Sequence, residues 1–269
     1  MKYRIGDVAR ILGISTDIIR YYEKKGVVSP VKDRLNDYRY YDTWDINYLI
    51  DCLWFKKFGF GIEEIAGIVT DCSYDQLLNL MMDKSEEMED ALRMQEMLLE
   101  CMKSHCRSLE SITDFMGVCD VCESPEIVCY LNRYNQTYDN RMELQKISRR
   151  WQRYMPFSKR YFEILGAGGE DEPDGYAWGF SLDAEYLDDF DIAEQPPVVH
   201  YQPQLSIHSA FKSAGKDGFT PRHADFLKEY AEKNGYEACA GARGNLVCSV
   251  VENNRLTGYF EVWLPVKKK

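Results

Sequence analysis

From residue 74 to residue 116 the chain contains neither proline nor glycine, and apolar side chains recur there at heptad spacing. The a and d positions are Leu78, Met81, Ser85, Met88, Leu92, Gln95, Leu99, Met102, Cys106, Leu109, Thr113 and Met116. Nine of the twelve are apolar when cysteine is counted, which makes a narrow seam rather than a broad face. One helix cannot bury such a seam alone, so the spacing predicts a coiled-coil helix that dimerises with a second copy. The chain's 269 residues leave room for a modest domain on either side.

Ahead of the seam, Ile5, Val8, Ala9 and Leu12 fall at helical spacing, with Gly13 placed to cap the helix they form. Ser15 or Thr16 can cap a second helix through Ile18, Ile19 and Tyr22 to Gly26. Two short helices joined by a glycine-containing turn are the helix-turn-helix pattern. Pro30 ends this unit. Residues 30–41 then set the turn formers Asn36 and Asp37 between short extended pieces, as in a hairpin or wing. Asp42 or Thr43 caps a third helix with Ile46, Leu49, Ile50, Leu53 and Trp54 expected inward. A break at Gly59–Gly61 precedes a fourth helix over 62–69.

The formal net charge of −11 argues against nucleic acid as a partner only if it is evenly spread. Residues 1–41 hold nine Lys/Arg against five Asp/Glu, a local +4, which leaves −15 on the rest. A basic face of that size suffices, because phosphate attraction is screened within about 8 Å at physiological salt. An acidic body can help to aim the basic end. No apolar run reaches the roughly 18–20 residues needed to span a bilayer, and the opening MKYRIGDVARILGIS has no signal-peptide core. The expected location is cytoplasmic, without membrane contact. Nine scattered cysteines argue against a disulfide scaffold and are expected to be mostly reduced and buried.

Gly117 and Pro125 bracket a short connector, after which the pattern changes. Strand-like runs at 126–134, 161–167, 176–182, 198–212, 245–251 and 257–266 alternate with helical runs at 140–155 and 221–234. This predicts an α+β domain with an antiparallel sheet, built as two βαββ halves. The expected division is a winged helix-turn-helix domain over 1–72, a coiled-coil helix over 73–117, a linker over 118–125 and an effector domain over 126–269. Tyr259, Glu261 and Trp263 alternate on the final strand, so all three face one way. A charged residue in mid-strand among large apolar neighbours calls for a reason.

The stretches IGDVARILGIS, IRYYEKKGVVSP and NDYRYYD, in that order and spacing, resemble the MerR family of transcription regulators over about residues 3–70. The fold this implies is an all-α winged helix-turn-helix domain followed by a dimerisation helix. Its implied recognition helix would present Thr16, Asp17, Arg20 and Tyr21 to base edges in the major groove. Lys24 and Lys25 lie a turn further on, toward phosphate, and Tyr38 and Arg39 match the family's backbone-contacting wing pair. The chain carries Asp37 where the family usually has glycine, and Lys32 where it often has arginine. The resemblance implies a homodimer on double-stranded promoter DNA that works with RNA polymerase. It activates by bending and untwisting an over-long spacer when effector is bound, a deformation of order 1–6 kcal/mol.

The C-terminal stretches DNRMELQKISRRWQRYM, GYAWGFSL, HADFLKEYAEKNGYE and YFEVWLPV resemble the gyrase-inhibitor-like domain of BmrR-type, multidrug-sensing MerR regulators. The resemblance implies a small-molecule effector, lipophilic and aromatic or cationic, held by an aromatic pocket around the Glu261 carboxylate. Further wall candidates are Trp151, Tyr154, Tyr176, Trp178 and Phe180. Such pockets carry a second glutamate on the preceding strand, and the nearest equivalent here is Asn245, which supplies no charge.

Two other readings compete. Cys119 and Cys122 form a Cys-x-x-Cys pair suited to a metal or redox sensor, although two thiolates are only half a tetrahedral site. A hydrolase could use Glu261 with a nearby tyrosine as acid or base. No nucleophile elbow, phosphate loop or metalloprotease motif is present, and His105, His200, His208 and His223 read as isolated. The expectation is a regulator, not an enzyme, with no cofactor and no bound metal.

Overall fold

The computed structural model describes residues 2–33, 38–165, 175–215 and 218–269. It divides into two compact units, Met1–Gln95 and Glu96–Lys269.

The first unit opens with β1 (Tyr3–Arg4), α1 (Ile5–Leu12) and α2 (Thr16–Lys24), followed by β2 (Val31–Lys32) and β3 (Arg39–Tyr41). Then come α3 (Thr43–Lys57), α4 (Ile62–Asp71) and the start of α5 (Tyr74–Ser111). The local signals act as their chemistry requires. Gly13 closes α1 at φ 67°, a left-handed position that suits glycine. Ser15 Oγ accepts from the Ile18 amide at 3.3 Å, a cap worth about 1 kcal/mol. Asp42 accepts from the amides of Trp44 and Asp45, and Asp45 answers by accepting from the Asp42 amide. Strands β1, β3 and β2 form the small antiparallel sheet of the wing. The Asn36–Asp37 turn expected there lies outside the described residues.

Helix α3 departs from the expected phase. Ile46, Leu49, Cys52 and Phe55 are buried, whereas Ile50 and Trp54 are 47% and 53% exposed. Burial falls on every third residue because Cys52 lies against Tyr22 of α2, and Trp54 packs its ring on Phe58 at 4.6 Å instead. The core of the unit gathers Val8, Ile19, Tyr22, Tyr41, Leu49 and Ile65. Helix α5 buries none of its own residues fully. Its seam positions Leu78, Met88, Leu92, Leu99, Met102 and Leu109 are between 41% and 61% exposed. Met81, Ser85, Met88 and Leu92 with Phe58 line an open apolar groove.

The helix stops at Ser111, short of the expected 116. Ile112 turns inward, and the chain then runs beside a strand: Ala210 N–H donates to Phe115 O at 3.0 Å and Gly117 N–H to Ala210 O at 2.9 Å. Backbone pairing with a sheet edge satisfies groups that a longer helix would have had to pair internally.

The second unit continues with β4 (Asp120–Glu123), β5 (Ile127–Tyr134), β6 (Thr137–Tyr138), α6 (Met142–Gln152), β7 (Lys159–Leu165) and β8 (Gly175–Asp183). It closes with β9 (Val199–Tyr201), β10 (Leu205–Ala214), α7 (Asp225–Lys233), β11 (Tyr236–Ala238), β12 (Ala242–Glu252) and β13 (Arg255–Lys268). The main sheet runs β4-β10-β13-β12-β7-β8-β5-β6, all antiparallel. Two βαββ halves are evident, β5-α6-β7-β8 and β10-α7-β12-β13. In each half the first strand pairs the last and the last pairs the third. The halves join where β12 meets β7.

Three expectations are revised. Residues 118–125, read as a connector, contain β4, which pairs β10. The single run 198–212 is split at Gln202–Gln204 into β9 and β10, around Pro203. The helical run 221–234 begins as a 3₁₀ turn, Pro221–Ala224, before α7. Residues 166–167 of one expected strand lie outside the described residues. All nine cysteines are free, and only Cys52 and Cys129 are buried rather than most of them. Among the described residues no helix is long and apolar enough to cross a membrane.

Candidate functional site

In the first unit, Ile19 and Tyr22 of α2 are buried. The opposite face therefore presents Asp17, Arg20, Tyr21 and Lys24, at spacings of three and four residues. Arg20 and Lys24 are exposed, Tyr21 half-buried, and Thr16 lies half-buried at the helix start. Arg20 pairs Asp17 at 3.2 Å with both side chains more than half exposed, so the contact is weak and easily exchanged for another anion. Lys25 is directed elsewhere, to Glu63 at 3.2 Å. In the wing, Arg39 Nε donates to Glu23 at 2.7 Å and the Tyr41 hydroxyl donates to the same carboxylate. Glu23 thus ties the wing to α2. Tyr38 is 53% exposed, with the Arg4 guanidinium 5.0 Å from its ring centre.

In the second unit, strand register sorts the candidates onto two faces. Phe162, Trp178, Phe260 and Val262 pack toward α7, and Tyr130 packs on Trp151 of α6. Tyr176 joins the first cluster, Tyr154 and Phe180 the second. Five of the eight proposed wall residues therefore sit in the helix-side core and not around Glu261. On the other face, Arg243 and Asn245 of β12 lie opposite Glu163 and Tyr161 of β7, and opposite Trp263 and Glu261 of β13. Tyr259 shares that face, but its hydroxyl donates to Glu252 near the strand's end.

Glu261 already has a partner: His208 Nε2 lies 2.9 Å from its Oε1, and the imidazole stacks on Trp263 with ring centres 5.0 Å apart. His208 is therefore not isolated. Glu163, a second carboxylate on this face, accepts from the Tyr161 hydroxyl at 2.8 Å and the Tyr201 hydroxyl at 3.1 Å. Burial, reinforced by the Glu163 charge, pushes both phenols upward, so both remain protonated donors. The Arg243 guanidinium lies 3.8 Å from the centre of the Tyr201 ring. Ser181 Oγ donates to Asn245 Oδ1 at 2.7 Å. Ser124, Pro125, Ile127, Tyr161, Arg243, Gly244, Asn245 and Trp263 enclose a cavity of about 10 Å³, room for about one water. Sequence reading missed Arg243, Glu163, Tyr161 and Tyr201, because only strand register brings them together.

The strand that carries Tyr201 is tied down by His200, which bridges Glu126 at 2.8 Å and Glu194. Hydrogen bonding to Glu194, with that to Glu126, raises the His200 pKa above its ordinary value. A raised folded-state pKa contributes stability in full below the unfolded value of about 6.5, and loses it as pH climbs through the higher folded value. His200→Gln should therefore lower the Tm at pH 6, and the difference should fade as pH rises past the folded-state pKa. A gap independent of pH between 6 and 9 in thermal unfolding would contradict this.

Cys119 and Cys122 do not converge. Cys119 packs with Val121 into the helix-side core, whereas Cys122 lies opposite Ser206 on the other face. Spacing of three along an extended strand sends two side chains to opposite sides. Burial raises both thiols above their ordinary pKa, which works against thiolate formation. Among the described residues no group of three or more His, Cys, Asp or Glu could hold a metal ion.

The family model for the MerR HTH family regulatory protein matches residues 3–72. The chain is 30% identical over 115 residues to the mercuric resistance operon regulatory protein of Bacillus cereus, covering 39% of this chain and 86% of that protein. It is 31% identical over 98 residues to the HTH-type transcriptional activator mta of Bacillus subtilis, covering 36% of this chain but only 38% of the activator. Among solved structures, the N-terminus of the Bacillus subtilis multidrug transporter activator aligns at 28% identity and TM-score 0.34, over 38% of this chain and 97% of that one. An EcmrR–DNA complex aligns over 99% of this chain and 100% of that one at 15% identity and TM-score 0.38.

Proposed function

This chain belongs to the MerR family of helix-turn-helix regulatory proteins, and on that premise we propose that it is an effector-responsive regulator of promoter DNA. The observation that carries this reading is the exposed face of α2, with Arg20, Tyr21 and Lys24 beside a wing that carries Tyr38 and Arg39. A residue such as Arg20, midway along a recognition helix and exposed, suits bidentate contact with guanine in the major groove. Residues 1–72 form the DNA-binding domain and α5, Tyr74–Ser111, the dimerisation helix of a homodimer, whose exposed seam is covered by a second copy. The remaining residues form the effector domain, on the sheet face that carries Arg243, Asn245, Glu261 and Trp263. Effector binding there shifts the dimer toward a state that bends and untwists the promoter spacer, realigning its elements for RNA polymerase. That role is one of regulation and not of catalysis, and it places the protein in the cytoplasm.

The test is a footprint on the operator that the protein selects from random duplexes. A two-fold symmetric footprint is expected, and one without symmetry would remove the homodimer reading. Arg20→Ala should weaken specific binding by about 1–3 kcal/mol and relax the preference at one position of each half-site. Lys24→Ala should instead weaken all sequences alike and reduce the salt slope by about one. An Arg20→Ala protein that binds as tightly and as selectively as wild type would overturn the assignment of α2.

A further inference from the structure

Arg243 is 5% exposed, and its Nη2 is buried without a hydrogen-bond partner among the described residues. A buried guanidinium ordinarily has its fork filled, because an unpaired buried charge is costly. The carboxylate best placed to fill it is Glu163, directly opposite on β7. Glu163 is instead turned to the hydroxyls of Tyr161 and Tyr201. The Tyr201 ring lies against the guanidinium, whose Nη2 stays unpaired.

Two residues along the same strand and on the same face, Asn245 is 8% exposed. Its Oδ1 is occupied by Ser181, so the amide offers its N–H donors. Arg243 and Asn245 both line the small cavity, with Ile127, Pro125 and Trp263 as its apolar walls. An unpaired guanidinium nitrogen and a neighbouring amide donor beside an aromatic wall are the complement of a planar anion on an apolar body. The two acids nearby each already hold protein donors on one oxygen, Glu163 those of two phenols and Glu261 that of His208.

Resting on the effector-domain reading above, we propose that the effector is an aromatic carboxylate whose carboxylate group is held by Arg243 and Asn245. Its ring then takes the place against Trp263. Glu163 and Glu261 on the same face favour a single negative charge over a doubly charged phosphate, by like-charge repulsion. The cavity is closed to anything much larger than water, so binding requires Tyr201 or Trp263 to move.

The experiment is calorimetric titration of the full chain with three ligands of matched shape: 2-naphthoate, neutral 2-naphthamide and cationic 2-naphthylmethylammonium. The expected result is a Kd for naphthoate at least about tenfold below those of the other two. Arg243→Gln should raise the naphthoate Kd at least about tenfold and erase the preference. Arg243→Lys, which keeps the charge but loses the fork, should fall between. It serves as the reporting variant should Arg243→Gln not fold by circular dichroism. Tighter binding of the ammonium compound overturns this proposal while leaving an effector domain in place. So does naphthoate binding that the Arg243 variants do not weaken. Failure of all three ligands to bind at millimolar concentration overturns both the carboxylate assignment and the effector reading beneath it.

Discussion

Gly244→Ala is expected to destabilise the second unit by more than about 3 kcal/mol. A Cβ built at Gly244 would overlap the carbonyl oxygen of Glu261 and lie 2.9 Å from the Cα of Val262. Both atoms are backbone of the paired strand β13, which cannot step aside like the tip of a long side chain. β12 is clamped on its other side by β7, so the strain spreads into the sheet instead of relaxing at an edge. The same residue lines the cavity between Arg243 and Asn245, and any shift there changes the spacing of the two donors. Chemical denaturation should show a lower midpoint. Gly67→Ala is the matched control: Gly67 lies in α4 with open space where its Cβ would go. That substitution should raise stability by roughly 0.5–1 kcal/mol, by helix propensity alone. Equal effects of the two changes would refute the steric account.

The other large effect is expected at the seam. Leu92 is 61% exposed on α5, one turn from Met88. Burying a leucine is worth about 1.5–3 kcal/mol, and a homodimer buries two copies. Leu92→Glu should therefore weaken dimerisation by about 3–6 kcal/mol, which is about two to four orders of magnitude in Kd. Two facing carboxylates add repulsion. Because Leu92 is so exposed in the single chain, the fold itself should be unharmed, with helix content unchanged by circular dichroism. Sedimentation is the measurement, and a Leu92→Glu protein that still sediments as a dimer at low micromolar concentration would disprove the seam.

Local chemistry made the first unit legible from sequence. Gly13, Ser15 and Asp42 do in space what their side chains dictate within four residues of chain, and the heptad positions of α5 are a one-dimensional pattern. The phase of α3 was not legible, because Cys52 is buried by its contact with Tyr22, thirty residues away in sequence. The candidate site in the sheet was legible only in part. Alternation placed Glu261 and Trp263 on one face, but gave no means of telling that Trp178 and Phe180 belong to the other. That distinction requires the pairing of β8 with β5 and β7. Arg243 and Glu163 are eighty residues apart in sequence and become neighbours only through the join between the halves. The Cys119–Cys122 spacing suggested a ligand pair on the assumption of a loop, and edge-strand geometry separates the two thiols.

That join has a mechanical meaning. Four residue pairs connect β12 to β7, whereas nine connect β12 to β13 within one half. The two halves are therefore leaves joined by a shorter ladder than any inside them, and Arg243 and Asn245 both stand on that ladder. A molecule lodged there would brace that ladder as a rivet braces two plates. Its influence on the rest of the protein would then travel as a change in how far the two leaves can flex, without any strand having to break.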